Sequence, residues 1–111
     1  IWRMGSPRGE FTFIGEHEQN APYYYSRQHN VLRLPNGNIT LFDNGQDHQP
    51  PYSRGVEYTI DEDNKVATLV SEVRYPNGNI FCTNGGSIYM KQNYLNMWPV
   101  PKNCLLLDSY D

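Results

Sequence analysis

The feature that most constrains this chain is a run of short segments that alternate with a period of two residues, each ended by a chemically specified turn. Ile39 and Leu41 alternate with Thr40 and Phe42. Val56, Tyr58 and Ile60 alternate with Gly55, Glu57 and Thr59, and Val66, Thr68 and Val70 with Ala67, Leu69 and Ser71. Such alternation sends the two sets to opposite faces of a strand, and β-branched and aromatic residues suit a pleated surface. No window of about a dozen residues carries the 3.6-residue repeat of an amphipathic helix. Strands are predicted over 28–34, 38–43, 54–60 and 66–75.

The turns support this division. Pro35-Asn36-Gly37-Asn38 lies between Leu34 and Ile39, and Asn-Gly supplies the positive φ values of a tight hairpin. Asp61-Glu62-Asp63-Asn64 separates the third and fourth runs with short polar side chains that bond their own backbone. The longer link from Asn44 to Ser53 contains Pro50-Pro51, which keeps the strands from simply continuing. Four strands joined up-and-down in 48 residues match the size and plan of one β-propeller blade. The expected fold is therefore all-β, with antiparallel four-stranded sheets forming about two blades of a propeller. In that reading, residues 1–111 are a partial propeller domain, with one complete blade over 28–75 and the start of the next over 85–111.

Arg33-Leu34-Pro35-Asn36-Gly37-Asn38-Ile39 is echoed by Arg74-Tyr75-Pro76-Asn77-Gly78-Asn79-Ile80, offset by 41 residues. The period suits a propeller, but the phase does not: the first copy joins two strands of a blade, the second follows its last strand. Blade architecture therefore rests on the strand count. Ile1–Gly5 reads as the end of a preceding strand and 6–27 as a long connection containing Tyr23-Tyr24-Tyr25. Ser87–Met90 and Cys104–Leu107 read as strands of the following blade, with 91–103 an expanded loop. A propeller closes with about 4–8 blades, so 111 residues beginning at Ile1 rather than Met are expected to be a processed chain or a piece of a longer one.

Composition narrows the function. Nine Lys and Arg against 12 Asp and Glu give a net charge of −3, which argues against a nucleic-acid binder or a polybasic membrane-surface protein. No apolar run approaches the ~18 residues of a spanning helix. The two cysteines, Cys82 and Cys104, are too few for a disulfide scaffold or a four-ligand zinc site. They read as small buried hydrophobes, with a single disulfide in an oxidising compartment as the minor alternative.

Several residues could carry chemistry. His29, at a strand start, can present its ring at one end of a sheet and move protons near neutral pH, or be a hydrogen-bonded structural histidine. Arg54 begins the third strand, and its guanidinium fork suits an oxyanion; its plainer reading is a surface salt bridge, for example with Glu57. Arg27 has the same two readings. His17 and His48 sit beside acidic residues in loops, without metal-site spacing, and read as solvated. The Asp61–Asn64 run lacks the glycine and distal Glu of an EF-hand loop. Neither a metal nor a cofactor is expected.

Three segments together resemble the bacterial arylsulfotransferase family. They are Ser26-Arg27-Gln28-His29-Asn30, then Leu34 through Gly45 with its Phe42-Asp43-Asn44-Gly45, then Pro51-Tyr52-Ser53-Arg54-Gly55-Val56-Glu57-Tyr58. Ile1-Trp2-Arg3-Met4-Gly5 and Val70-Ser71-Glu72-Val73-Arg74-Tyr75 are similar to the same family. The resemblance implies a periplasmic or secreted six-bladed propeller. Such an enzyme transfers a sulfuryl group from a phenolic sulfate ester to another phenol, without a nucleotide donor. It maps the family's Gln-His histidine onto His29 and its Tyr-Ser-Arg arginine onto Arg54, both as sulfuryl contacts, with Tyr52 and Tyr89 as substrate-binding candidates. Fixed cations and donors would stabilise the charge that sulfuryl transfer spreads over oxygens.

The family's nucleophilic histidine follows a Gly-Gly-Ser-Ile sequence, whereas here Gly85-Gly86-Ser87-Ile88 precedes Tyr89. Either Tyr89 replaces the nucleophile or the nucleophile lies beyond Asp111. The partners implied are an aryl sulfate and a phenol, with neither nucleic acid nor membrane, and a homo-oligomer of the full-length protein is compatible. The competing reading is a non-catalytic propeller that binds a ligand or a protein.

Overall fold

The computed structural model describes residues 3–5, 9–74, 80–82, 88–91, 94–97 and 104–106, with side chains through Cys82. The strands are β1 (Thr12–Ile14), β2 (His29–Arg33), β3 (Ile39–Asp43), β4 (Arg54–Asp61), β5 (Val66–Val73), β6 (Ile80–Cys82), β7 (Ile88–Lys91), β8 (Tyr94–Met97) and β9 (Cys104–Leu106). A single 3₁₀ turn, Glu18–Asn20, is the one helical element among the described residues, and no described helix is long and apolar enough to cross a membrane.

Strands β2 to β5 form the expected antiparallel meander, each paired with the next. The turns act as their residue types require. At the β2–β3 hairpin, Leu34 N donates to Asn38 O at 2.7 Å and Gly37 takes φ +92°. At the β4–β5 turn, Asn64 N donates to Asp61 Oδ1 at 3.1 Å, and its side-chain amide donates to Oδ2 at 2.9 Å. In the β3–β4 link Gly45 has φ +69°, and a Cβ there would lie 1.9 Å from the Tyr52 carbonyl oxygen, so no other residue fits.

The sheet is not purely antiparallel and four-stranded. A fifth strand, β1, adds to the outer edge of β5 in parallel, giving the order β1-β5-β4-β3-β2. Three residues are too few to show a period. Ring contacts hold this otherwise exposed strand: the half-buried Phe13 ring lies 5.0 to 6.0 Å from those of Tyr24, Tyr25 and Tyr58. Because β1 and β2 occupy opposite edges, residues 15–28 must cross from one side of the sheet to the other. That crossing covers the face carrying Leu41, Val56, Tyr58 and Ala67, which with Tyr25 form the core.

The later strands also depart from expectation. Residues 91–103 are not simply a loop, since β8 lies within them and pairs with β7. β9 pairs with β6, not with β7. Arg3–Gly5 form no strand, and the second Pro-Asn-Gly copy lies outside the described residues. Cys82 is disulfide-bonded, and Cys104, the chain's other cysteine, stands opposite it in the β6–β9 register. This corrects the reading of two separate buried thiols; the long-range strand pairing that joins them leaves no local signal.

Candidate functional site

Two polar centres grow from consecutive residues at the end of β3. Asp43 turns to Arg54 and Asn44 to His29. In the register, Asp43 pairs with Arg54, while His29 pairs with Phe42, which points to the opposite face. The structure therefore does not bring His29 and Arg54 onto one surface.

Arg54 is fully buried, and its five donors are all engaged. Nε donates to Asp43 Oδ2 at 2.8 Å, and Nη1 to Glu16 Oε1 at 3.0 Å and Glu72 Oε2 at 3.2 Å. Nη2 donates to Glu16 Oε2 at 2.9 Å and to the Tyr24 carbonyl at 2.7 Å. Burial disfavours the guanidinium charge, but the Glu16 hydrogen bond and the surrounding Tyr58, Asp43 and Glu16 outweigh it and push its pKa up. Tyr58 donates to Glu16, and burial, then Glu16, holds its phenol well above the ordinary range. The expected neighbour Glu57 instead accepts from Asn38 Nδ2 at 2.7 Å.

The second layer joins two histidines expected in solvent. His48 is buried, with Nε2 2.7 Å from Asp43 Oδ2. His17 Nε2 lies 2.7 Å from Glu72 Oε2, and Arg74 pairs with the same carboxylate. Burial pushes the Glu72 carboxyl up, but its bonds from Arg74 and His17 and the charge of Arg54 hold it below the usual range. Tyr52 is buried here too: its hydroxyl accepts from Asn20 Nδ2 at 2.9 Å and Arg74 Nη2 at 3.0 Å, and the Arg74 guanidinium lies 4.4 Å from its ring centre.

Glu72 reaches this centre through an irregularity that strict alternation hides. Tyr58 pairs with Leu69 but Val56 pairs with Glu72, so β5 carries one extra residue over that interval. The bulge reverses the phase and aims Glu72 at the core face. Glu16, by contrast, arrives on the crossing segment; no local pattern marks it.

His29 has a different setting. Every residue of β2 is exposed, and a second bulge lies between His29 and Leu32, where Asn30 takes φ 55°. Tyr24 and Arg27 also have positive φ, 71° and 54°, conformations that cost energy in residues other than glycine. Ser26 anchors the segment to the β3–β4 link: its backbone N donates to Asp43 Oδ1 at 3.0 Å, and its hydroxyl accepts from Asp47 N at 3.0 Å. The adjoining cleft, about 340 Å³, is lined by Met4, Tyr23, Tyr25, Ser26, Arg27, Gln28 and Asp47. It offers aromatic rings and, two residues before His29, the Arg27 guanidinium. Tyr89 lies on β7, and its side chain is outside the described residues.

A sequence model of the family described as Arylsulfotransferase (ASST) matches residues 11–99. No curated protein and no solved structure matches the chain.

Proposed function

Because the chain belongs to the arylsulfotransferase (ASST) family over residues 11–99, we propose that it forms part of an enzyme moving a sulfuryl group from a phenolic sulfate ester to a phenol. The observation that carries this reading is His29: exposed, held by Asn44 at 2.7 Å, and next in sequence to a cleft lined by Tyr23, Tyr25 and Arg27. Tyrosine rings suit an aryl group, and a guanidinium suits its sulfate. In this proposal the β2–β5 meander is one propeller blade over about residues 28–75, the next blade begins near 85, and other blades complete the site. The disulfide at Cys82 supports a periplasmic or secreted setting.

The family correspondence gives Arg54 a sulfuryl contact. With all five donors engaged, that contact requires one carboxylate to leave the guanidinium before a sulfuryl oxygen takes its place. Tyr52 is tied up in the same network, so a substrate contact there also requires exchange. This full occupation favours the second reading, a non-catalytic propeller that binds a ligand or a protein.

The test uses the full-length protein with an aryl sulfate and a phenol. Transfer should fall by about 100-fold or more in His29→Ala, the scale of a lost acid–base group. Unchanged transfer in that variant would remove His29 from the reaction. Binding of the aryl sulfate with no transfer by the parent would establish the second reading.

A further inference from the structure

The hydrogen bonds of Asn44 bear on which nitrogen of the neutral His29 imidazole carries the proton. Asn44 is fully buried, and its Nδ2 donates to the Cys82 carbonyl at 2.9 Å. A carbonyl only accepts, so the amide orientation is set: nitrogen toward Cys82, oxygen toward His29. That oxygen lies 2.7 Å from His29 Nδ1. An amide oxygen also only accepts, so Nδ1 must carry the proton. In the neutral ring Nε2 then holds the lone pair.

The Asn44 backbone is tied to the same strand that its side chain meets. Ser53 Oγ donates to the Asn44 main-chain carbonyl at 2.7 Å and accepts from Cys82 N at 2.7 Å. Ser53 N also donates to the Ile80 carbonyl at 2.6 Å. Asn44, Ser53 and Cys82 are all fully buried. The Nδ1 side of the exposed His29 ring thus meets a buried, hydrogen-bonded Asn44.

We infer that Asn44 is a positioning residue that holds neutral His29 as the Nδ1–H tautomer, making Nε2 a proton acceptor. This rests on the proposed sulfuryl transfer for its chemical meaning. There, Nε2 takes the proton of the acceptor phenol as its oxygen forms a bond to sulfur. The bond between sulfur and its previous partner breaks, and over one complete cycle the proton is returned to the departing donor phenolate. One phenol and one new sulfate ester leave, and atoms and charge balance. Neutral His29 would not donate from Nε2 to an ester oxygen, as the sequence alone allowed.

The tautomer is measured directly on the 15N-labelled full-length protein, at a pH where the imidazole is neutral, by two-bond 15N–1H correlation. His29→Ala assigns its signals among those of the other histidines. The expected result is a protonated Nδ1 and an unprotonated Nε2, with mixed tautomers in Asn44→Ala and the wild-type pattern in Asn44→Asp, which keeps an acceptor. A protonated Nε2 in the wild type overturns the inference, and so does an unchanged pattern in a folded Asn44→Ala. If Asn44→Ala does not fold, the wild-type spectrum still decides the tautomer and Asn44→Asp the need for an acceptor: loss of the Nδ1–H pattern in a folded Asn44→Asp overturns it. Failure of the functional reading looks different: His29→Ala would keep transferring sulfuryl groups while the Nδ1–H tautomer stood.

Discussion

Strands β2 and β3 are neighbours in one sheet, yet every residue of β2 is exposed and every residue of β3 is buried. The two polar centres divide in the same way. Arg54 sits in the core with all its donors engaged, whereas His29 stands exposed on an edge strand with its Nδ1 against Asn44. Two residues that one sequence motif set assigns to a common task have opposite physical situations. Burial with full pairing makes Arg54 a determinant of stability; exposure with orientation suits His29 to meet a small molecule.

The sharpest way to break this contrast is Arg54→Ala. It leaves the Asp43, Glu16 and Glu72 carboxylates facing one another without their shared cation. Removing one side of a buried ion network costs about 3–5 kcal/mol, a large part of the ~5–15 kcal/mol that holds a domain together. A urea midpoint close to wild type would mean that the network contributes little to folding.

A smaller effect follows from Glu72. Its folded pKa lies below the ordinary 4.5, so the carboxylate stabilises the fold fully above that value. The contribution is lost as pH falls through the lower folded value. Urea midpoints measured between about pH 3 and 7 should drop toward the acid end in the wild type and drop less steeply in Glu72→Gln. Parallel pH profiles would show that Glu72 does not link the network to acid.

The smallest effect is expected on β2 itself. Arg33 pairs with Glu62 at 2.6 Å, but both side chains are about half exposed. Arg33→Ala should change stability by about 0–1 kcal/mol, and added salt should shrink the difference further. A loss comparable to that of Arg54→Ala would erase the distinction between the two regions.

What could be read from the sequence was local. Asn36-Gly37 and Asp61–Asn64 marked their turns, and period-two runs placed four strands to within two residues at each end. Misses came where a feature depends on distant parts of the chain. β1 is held by rings from other elements, and Glu72 is turned inward by a bulge that shifts a register. Glu16, His17 and His48 stood among charged neighbours that ordinarily mark solvent; the crossing segment and the β3–β4 link bury Glu16 and His48, while His17 pairs with Glu72 and stays part-exposed. Family membership was legible from three short motifs; the separation of His29 from Arg54 was not, because motifs record order along the chain and not which face a residue takes.

The crossing segment also has a consequence for how the chain folds. Glu16 meets Arg54 across 38 residues, and His17 meets Glu72 across 55. A hairpin of β3 and β4 alone would hold Arg54 beside Asp43 with two carboxylates still missing. Such a partly assembled sheet gains little, since the guanidinium loses water before its partners arrive. Docking of the crossing segment and pairing of β5 therefore complete the burial of the guanidinium together, through contacts that close long loops of the chain.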